Sequence, residues 1–337
     1  MNHIDKIAVC SRSFSKNSVL RADLLEKYKN VTFNDAGEKL YGESLIEFLR
    51  GHDKAIIALE LIDEKVLSRL PELQVISKYG VGLDSIDLMA MQTHRKRLGW
   101  TGGVNRRSVS ELVISFAIAM LRHVPAANHE VLSGLWHQHL GNYLTGKTVG
   151  IIGCGHIGKD LVPLLLAFDC HILVNDILDF PDFYAKHGLK AVCLEELLEH
   201  SDVVTLHIPL NESTRGILDS KRLALLKPSA ILINIARGGL VDELALKSML
   251  KNKLLAAAAF DVFSDEPPLD KELLGLPNFL ATPILVAVLT RQFQQWEWRQ
   301  LMAWIIIVFL KYPKPKIEHR QDFASFSLDY PFQSIEQ

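Results

Sequence analysis

Apolar and polar positions along the chain follow two periods. Short apolar runs at residues 6–10, 31–33, 55–59 and 75–77 read as strands. Residues 19–28 have the three-and-four spacing of a helix, and further helical stretches separate the other runs. Strands alternating with helices predict a parallel sheet covered on both faces. A small basic cluster, His94-Arg95-Lys96-Arg97, follows and is expected to be a solvated helix end. Gly102 and Gly103 then break the chain before a long apolar segment, 109–124, which predicts a buried helix.

The second half is more regular. Strands are predicted at 147–153, 171–176, 203–207, 230–235 and 256–261, with helices at 156–168, 194–200 and 244–251. This pattern predicts a doubly wound α/β domain. The chain therefore divides into 1–98, 99–283 and a remainder, 284–337, and 337 residues is an ordinary length for two domains.

Composition narrows the function. Net charge is −2 with no basic stripe, so nucleic acid is not expected as a partner. The late apolar run at 301–310 falls far short of the roughly 20 residues that span a bilayer, so no membrane is expected. The polar N-terminus lacks the apolar run of a signal peptide. Cys10, Cys154, Cys170 and Cys193 have neither metal-ligand nor disulfide-framework spacing, and a reducing, cytoplasmic setting follows. His137 and His139 are potential ligands two residues apart, but no carboxylate or thiolate accompanies them in the polar stretch 133–146. No metal site is expected there.

The chemistry begins at Gly153-Cys154-Gly155-His156-Ile157-Gly158, a GxGxxG pattern. Its context makes it specific: a strand leads in, a helix follows, and Asp176 ends the next strand 18 residues after Gly158. Glycines at 153, 155 and 158 allow a tight turn and close approach of a pyrophosphate, which the helix N-terminus attracts. Asp176 can accept hydrogen bonds from a ribose 2′-hydroxyl and repels a 2′-phosphate, so NAD is expected over NADP.

Five motifs together resemble the D-isomer-specific 2-hydroxyacid dehydrogenases, most nearly their phosphoglycerate-dehydrogenase-like branch. They are Ser77–Asp84, Gly103-Val104-Asn105 with Ser108–Glu111, His207-Ile208-Pro209-Leu210 with Thr214, Asn234–Glu243 and Asp261–Pro267. The resemblance covers residues 1–283. It implies a Rossmann NAD domain inserted in a flavodoxin-like substrate domain, with chain crossings near Gly99 and Pro283, and a homodimer formed through the cofactor domain. The implied reaction interconverts a D-2-hydroxy acid and a 2-keto acid with NAD. Arg237 would hold the substrate carboxylate with its planar fork. Tyr79, Gly80 and Val81 would line the substrate side. His207, Ile208, Pro209, Thr214, Ile235, Ala236 and Asp261 would line the nicotinamide side. Glu266 would pair with a histidine that acts as the general acid.

That histidine is missing. It should follow Thr282-Pro283, but residue 284 is isoleucine, and no histidine occurs between His207 and His319. All 20 glycines precede residue 284, while three of the five tryptophans fall between Trp296 and Trp304. One permitted back-translation of residues 284–305, read with one base restored, begins with histidine and two glycines. It continues with a serine-capped, acidic helix start. Residues 284–337 therefore read as out-of-frame translation of a dehydrogenase gene. Two functions remain: a dehydrogenase whose activity is impaired by loss of the acid, or an NAD-binding pseudoenzyme or NAD-sensing regulatory protein on the same fold.

Overall fold

The computed structural model describes residues 5–285. The expected third segment, apart from residues 284 and 285, lies outside the described residues.

The first sheet contains β1 (Lys6–Val9), β2 (Asn30–Phe33), β3 (Lys54–Ile57), β4 (Val75–Lys78) and β5 (Arg97–Gly99), in the order 2-1-3-4-5 and parallel throughout. This is a flavodoxin-like strand order. β1, β3 and β4 are almost wholly buried, as expected for strands covered on both faces. Ala8, Ile57 and Ile76 face one apolar layer with Leu45, Ile46 and Leu67. Ile7, Val9 and Ile56 face the other with Phe14 and Leu24.

The second sheet contains β6 (Thr148–Ile152), β7 (His171–Asn175), β8 (Lys190–Ala191), β9 (Val203–Leu206), β10 (Ile231–Asn234), β11 (Ala257–Phe260) and β12 (Phe279–Ala281). Its order is 12-11-10-9-6-7-8, again all parallel. Strand order reverses between β6 and β9, where a doubly wound sheet opens a crevice at its carboxyl ends. The helix Arg106–Leu121 buries Val109, Val113, Phe116, Ala117 and Met120 at helical spacing. They join the same core as Leu161, Val162 and Leu165 of the helix His156–Leu166.

Three details differ from expectation. The long apolar helix ends at Leu121, because His123 takes a left-handed conformation (φ 56°) and a second helix, Val124–Leu132, starts at 61° to the first. Pro125 belongs in the first turn of a new helix and cannot continue an old one. The basic cluster is a solvated helix end only in its first half, where His94 caps the helix Leu88–Thr93 and Arg95 is exposed. The Lys96 ammonium donates to the carbonyls of Leu70 and Pro71, and Arg97 opens strand β5. The short strands β8 and β12, of two and three residues, carry too little periodicity to be read from sequence. Among the described residues no single helix is long and apolar enough to cross a membrane.

Candidate active site

The carboxyl ends of the two sheets face a common cleft of about 610 Å³. The loop after β4 contributes Tyr79, Gly80, Val81, Gly82 and Asp84. The glycine turn after β6 contributes Gly155, His156 and Ile157. The loop after β9 adds His207, Ile208 and Pro209, and the loop after β10 adds Ile235, Ala236 and Arg237. Glu266 and Ile284 also line it, as do Lys78 and Trp100. The cleft thus unites most of the candidate residues drawn from both halves of the sequence.

The glycine turn has the shape its pattern predicts. Gly153 has φ 99° and packs on the His207 carbonyl, leaving no room for a β-carbon. A β-carbon at Gly158 would strike the Gly153 carbonyl, so the helix starts tight against the strand. At Gly155 the corresponding space is open. This open space lies beside the N-terminus of the helix His156–Leu166, and a dinucleotide's diphosphate fits there. Asp176 stands just past β7. It accepts from the Cys154 N–H at 2.6 Å and the Leu178 N–H at 2.9 Å. Its carboxylate is thereby held at the edge of the glycine turn.

Arg237 follows β10. Buried Asn234 fixes the turn by donating to the Arg237 carbonyl (2.9 Å), and Gly238 packs so closely on Phe263 and Ser264 that any side chain would overlap their backbone. The guanidinium reaches across to the first sheet. Its Nε and Nη2 lie 3.1 and 2.9 Å from one carboxylate oxygen of Asp84. Gly82 lies against this crossing, and a β-carbon there would push the tips of both side chains aside. Trp100 donates from Nε1 to the Val81 carbonyl at 3.0 Å and braces the same loop.

The titratable groups differ in character. Burial pushes the His207 imidazole down to about 3; Nε2 meets the Thr205 hydroxyl at 3.0 Å and Nδ1 has no partner. His156 is also lowered, first by burial and then by Arg106 and Lys159. Neither ring is a ready proton donor near neutral pH. Lys78 is buried, donates to Ser85 Oγ at 2.8 Å and to the Ala58 carbonyl, and burial lowers its pKa against the pull of Glu60 and Asp84. Glu266 is exposed at the cleft rim and accepts from the Phe263 N–H at 3.1 Å. Ile284 lies beside it in the cleft lining, with φ 54°. A β-branched residue rarely adopts that conformation.

Thr214 and Asp261 are not among the residues lining this cleft, although Asp261 lines an adjoining cavity that shares Glu266 and Ile284 with it. Thr214 donates to the Pro209 carbonyl and accepts from the Asn211 N–H, at 2.7 and 2.8 Å, and so shapes its own loop. Asp261 is fully buried and accepts from the Thr282 hydroxyl and the Leu285 N–H, which ties down the segment leading to residue 284. Sequence reasoning gave no role to Lys78, Asp84 or Trp100. Lys78 and Asp84 stand inside the quoted Ser77–Asp84 motif, and their charges were the available signal. The premise that no carboxylate accompanies His137 and His139 is overturned. Glu130 accepts from or faces both rings, with its Oε2 2.8 Å from His139 Nε2 and 3.7 Å from His137 Nδ1.

Residues 114–285 match the family model described as the D-isomer specific 2-hydroxyacid dehydrogenase, NAD binding domain. A D-3-phosphoglycerate dehydrogenase of Bacillus subtilis is 36% identical over 67% of this chain and 43% of its own length. The chain spans about half the length of the phosphoglycerate dehydrogenases it matches. An (S)-sulfolactate dehydrogenase of Chromohalobacter salexigens is 36% identical over 70% of this chain and 78% of its own length. Among solved structures, an acyclic imino acid reductase in complex with NADPH is 25% identical with a TM-score of 0.82, covering 91% of this chain and 98% of that one.

Proposed function

The chain belongs to the D-isomer specific 2-hydroxyacid dehydrogenase family and carries its NAD-binding domain, and from that premise we propose that the cleft interconverts a 2-hydroxy acid and a 2-keto acid. The observation that carries the proposal is Arg237, an arginine held by a fixed turn at the mouth of the glycine-turn crevice and facing the first sheet.

NAD, when bound, would supply the hydride acceptor or donor for the substrate carbon. The chain's own residues do the rest. Backbone N–H groups at Gly155–Ile157 would hold its diphosphate, and Asp176 would accept from its adenosine ribose, favouring NAD over NADP. His207, Ile208, Pro209, Ile235 and Ala236 wall the nicotinamide side. Arg237 exchanges Asp84 for the substrate carboxylate and polarises the adjacent carbonyl. N–H groups near Gly80 and Val81 add contacts from the other sheet.

The proton for the carbonyl oxygen needs a donor beside Glu266. Residue 284 lies in the cleft lining with Glu266 and Arg237, so a histidine there would serve, and isoleucine cannot. The match to the family model stops at residue 285, where the composition also changes. Both facts support the frame-slip reading of 284–337. An active parent enzyme then carries histidine at 284. The chain as written is an NAD-binding form without its acid, and Ile284 is the observation that favours this second, pseudoenzyme-like reading. We place the enzyme in the cytoplasm as a homodimer. Four cysteines without a disulfide support the first assignment, and exposed Leu132, Leu135, Trp136, Leu140 and Tyr143 beside the cofactor domain support the second.

The test is NADH oxidation by the frame-restored protein against a panel of 2-keto acids. Turnover with at least one of them, abolished in Arg237→Ala, is the expected result. NADH binding without turnover of any 2-keto acid would defeat the dehydrogenase reading.

A further inference from the structure

A second cluster of ligating side chains lies away from the cleft. The helix Val124–Leu132 ends at Ser133, and Gly134 (φ 80°) reverses the chain. The Leu135 N–H bonds back to the Glu130 carbonyl at 2.9 Å, so the following residues run back along the helix. Farther on, the Asn142 N–H bonds the Leu121 carbonyl at 2.9 Å. The segment between is strapped at both ends, and its two histidines return to Glu130.

The result is compact. One ligating atom from each of Glu130, His137 and His139 lies within 4.8 Å of the other two, the only such group among the described residues. The two imidazoles approach the same carboxylate oxygen, at 2.8 and 3.7 Å, and their ring centroids are 4.9 Å apart. A third imidazole, His123, has its centroid 5.5 Å from that of His139. Glu130 and His139 are half-buried, with about a quarter of each side chain exposed. Ligands of a tetrahedral zinc ion stand about 3.3 Å apart, given bonds of about 2.0–2.1 Å. The observed spacing brackets that value. A surface ion pair needs one imidazole, whereas here two converge on a single oxygen.

We propose that Glu130, His137 and His139 bind a divalent transition-metal ion of the zinc class, with a water or His123 in the fourth position. Two imidazoles and a carboxylate are a borderline-soft donor set that suits zinc over magnesium or calcium. The ion fastens segment 135–141 to the helix end, beneath the exposed Trp136 and Leu140. Its role is structural, since none of its ligands lines the cleft.

The experiment uses the full chain, stripped with chelator and dialysed. Titration calorimetry with Zn²⁺ is expected to show one ion per chain, and Co²⁺ is expected to give the visible absorption of a four-coordinate site. His137→Ala, Glu130→Gln and His139→Ala should each weaken zinc binding by at least about tenfold. NADH affinity should stay unchanged, which shows that each variant is folded. His137 is largely exposed, so its variant carries the test even if the other two fold poorly. Wild-type stoichiometry and affinity in His137→Ala, or no zinc uptake by the wild type, would overturn the proposal.

Discussion

The guanidinium of Arg237 and the carboxylate of Asp84, 153 residues apart, meet across the cleft at 2.9 Å. The fork proposed to hold a 2-keto acid is thus kept in position by a carboxylate of the protein itself. Both side chains are more than a third exposed, and such pairs contribute about 0–1 kcal/mol, so a substrate carboxylate can replace Asp84 at little cost. Arg237→Lys, which loses the planar fork, should lower kcat/KM of the frame-restored enzyme by about 10²-fold or more. Asp84→Asn should lower it by less than about tenfold. Steady-state kinetics with NADH saturating checks both, and equal losses would mean that Asp84 does more than position the arginine.

Gly238 fits against the backbone of Phe263 and Ser264 with no room for a methyl group. Gly238→Ala must therefore shift two loops that border the cleft, and a loss of more than about 2 kcal/mol is expected. Gly188, by contrast, has a left-handed conformation (φ 64°) and open space around it. Gly188→Ala should cost only about 1 kcal/mol. Thermal unfolding of the two variants separates packing from backbone strain.

We propose that Asp176, whose carboxylate is held at the edge of the glycine turn, sets cofactor preference through its charge. Asp176→Ser should reduce the NADH-over-NADPH preference by more than about tenfold, the equivalent of about 1.4 kcal/mol. Fluorescence titration with each nucleotide measures this even in a chain that does not turn over.

Burial depresses the His207 imidazole from its usual 6.5 to about 3. The unfolded chain takes up this proton first, so the folded state loses stability as pH falls from about 6.5 towards 3. The slope from this one group is about 1.4 kcal/mol per pH unit. His207→Gln removes it. Urea unfolding at pH 7 and pH 4.5 should show a smaller acid loss in the variant than in the wild type, and an identical loss would contradict a buried neutral imidazole.

Much of this was legible in the sequence because it rests on local rules. The strand–GxGxxG–helix unit at 148–166 needs only backbone conformation and helix polarity, and β6, Gly153 and the following helix stand where the pattern predicts. β5 was not legible, since Lys96 and Arg97 read as solvent-facing charge, whereas the Lys96 ammonium bonds the backbone and Arg97 begins the strand. The Glu130 cluster was not legible either. Its carboxylate is seven and nine residues from the histidines, and only the Gly134 reversal brings them together. Asp84 escaped for a similar reason, because its partner lies on the other sheet.

The proton donor gives the most direct test. NADH oxidation with a 2-keto acid can be compared between the chain as written, with Ile284, and the frame-restored chain with histidine in that position. The restored chain should turn over, and the Ile284 form should bind NADH comparably yet turn over about 10²–10⁴-fold more slowly. Equal rates in the two would contradict the assignment of residue 284 as the acid position.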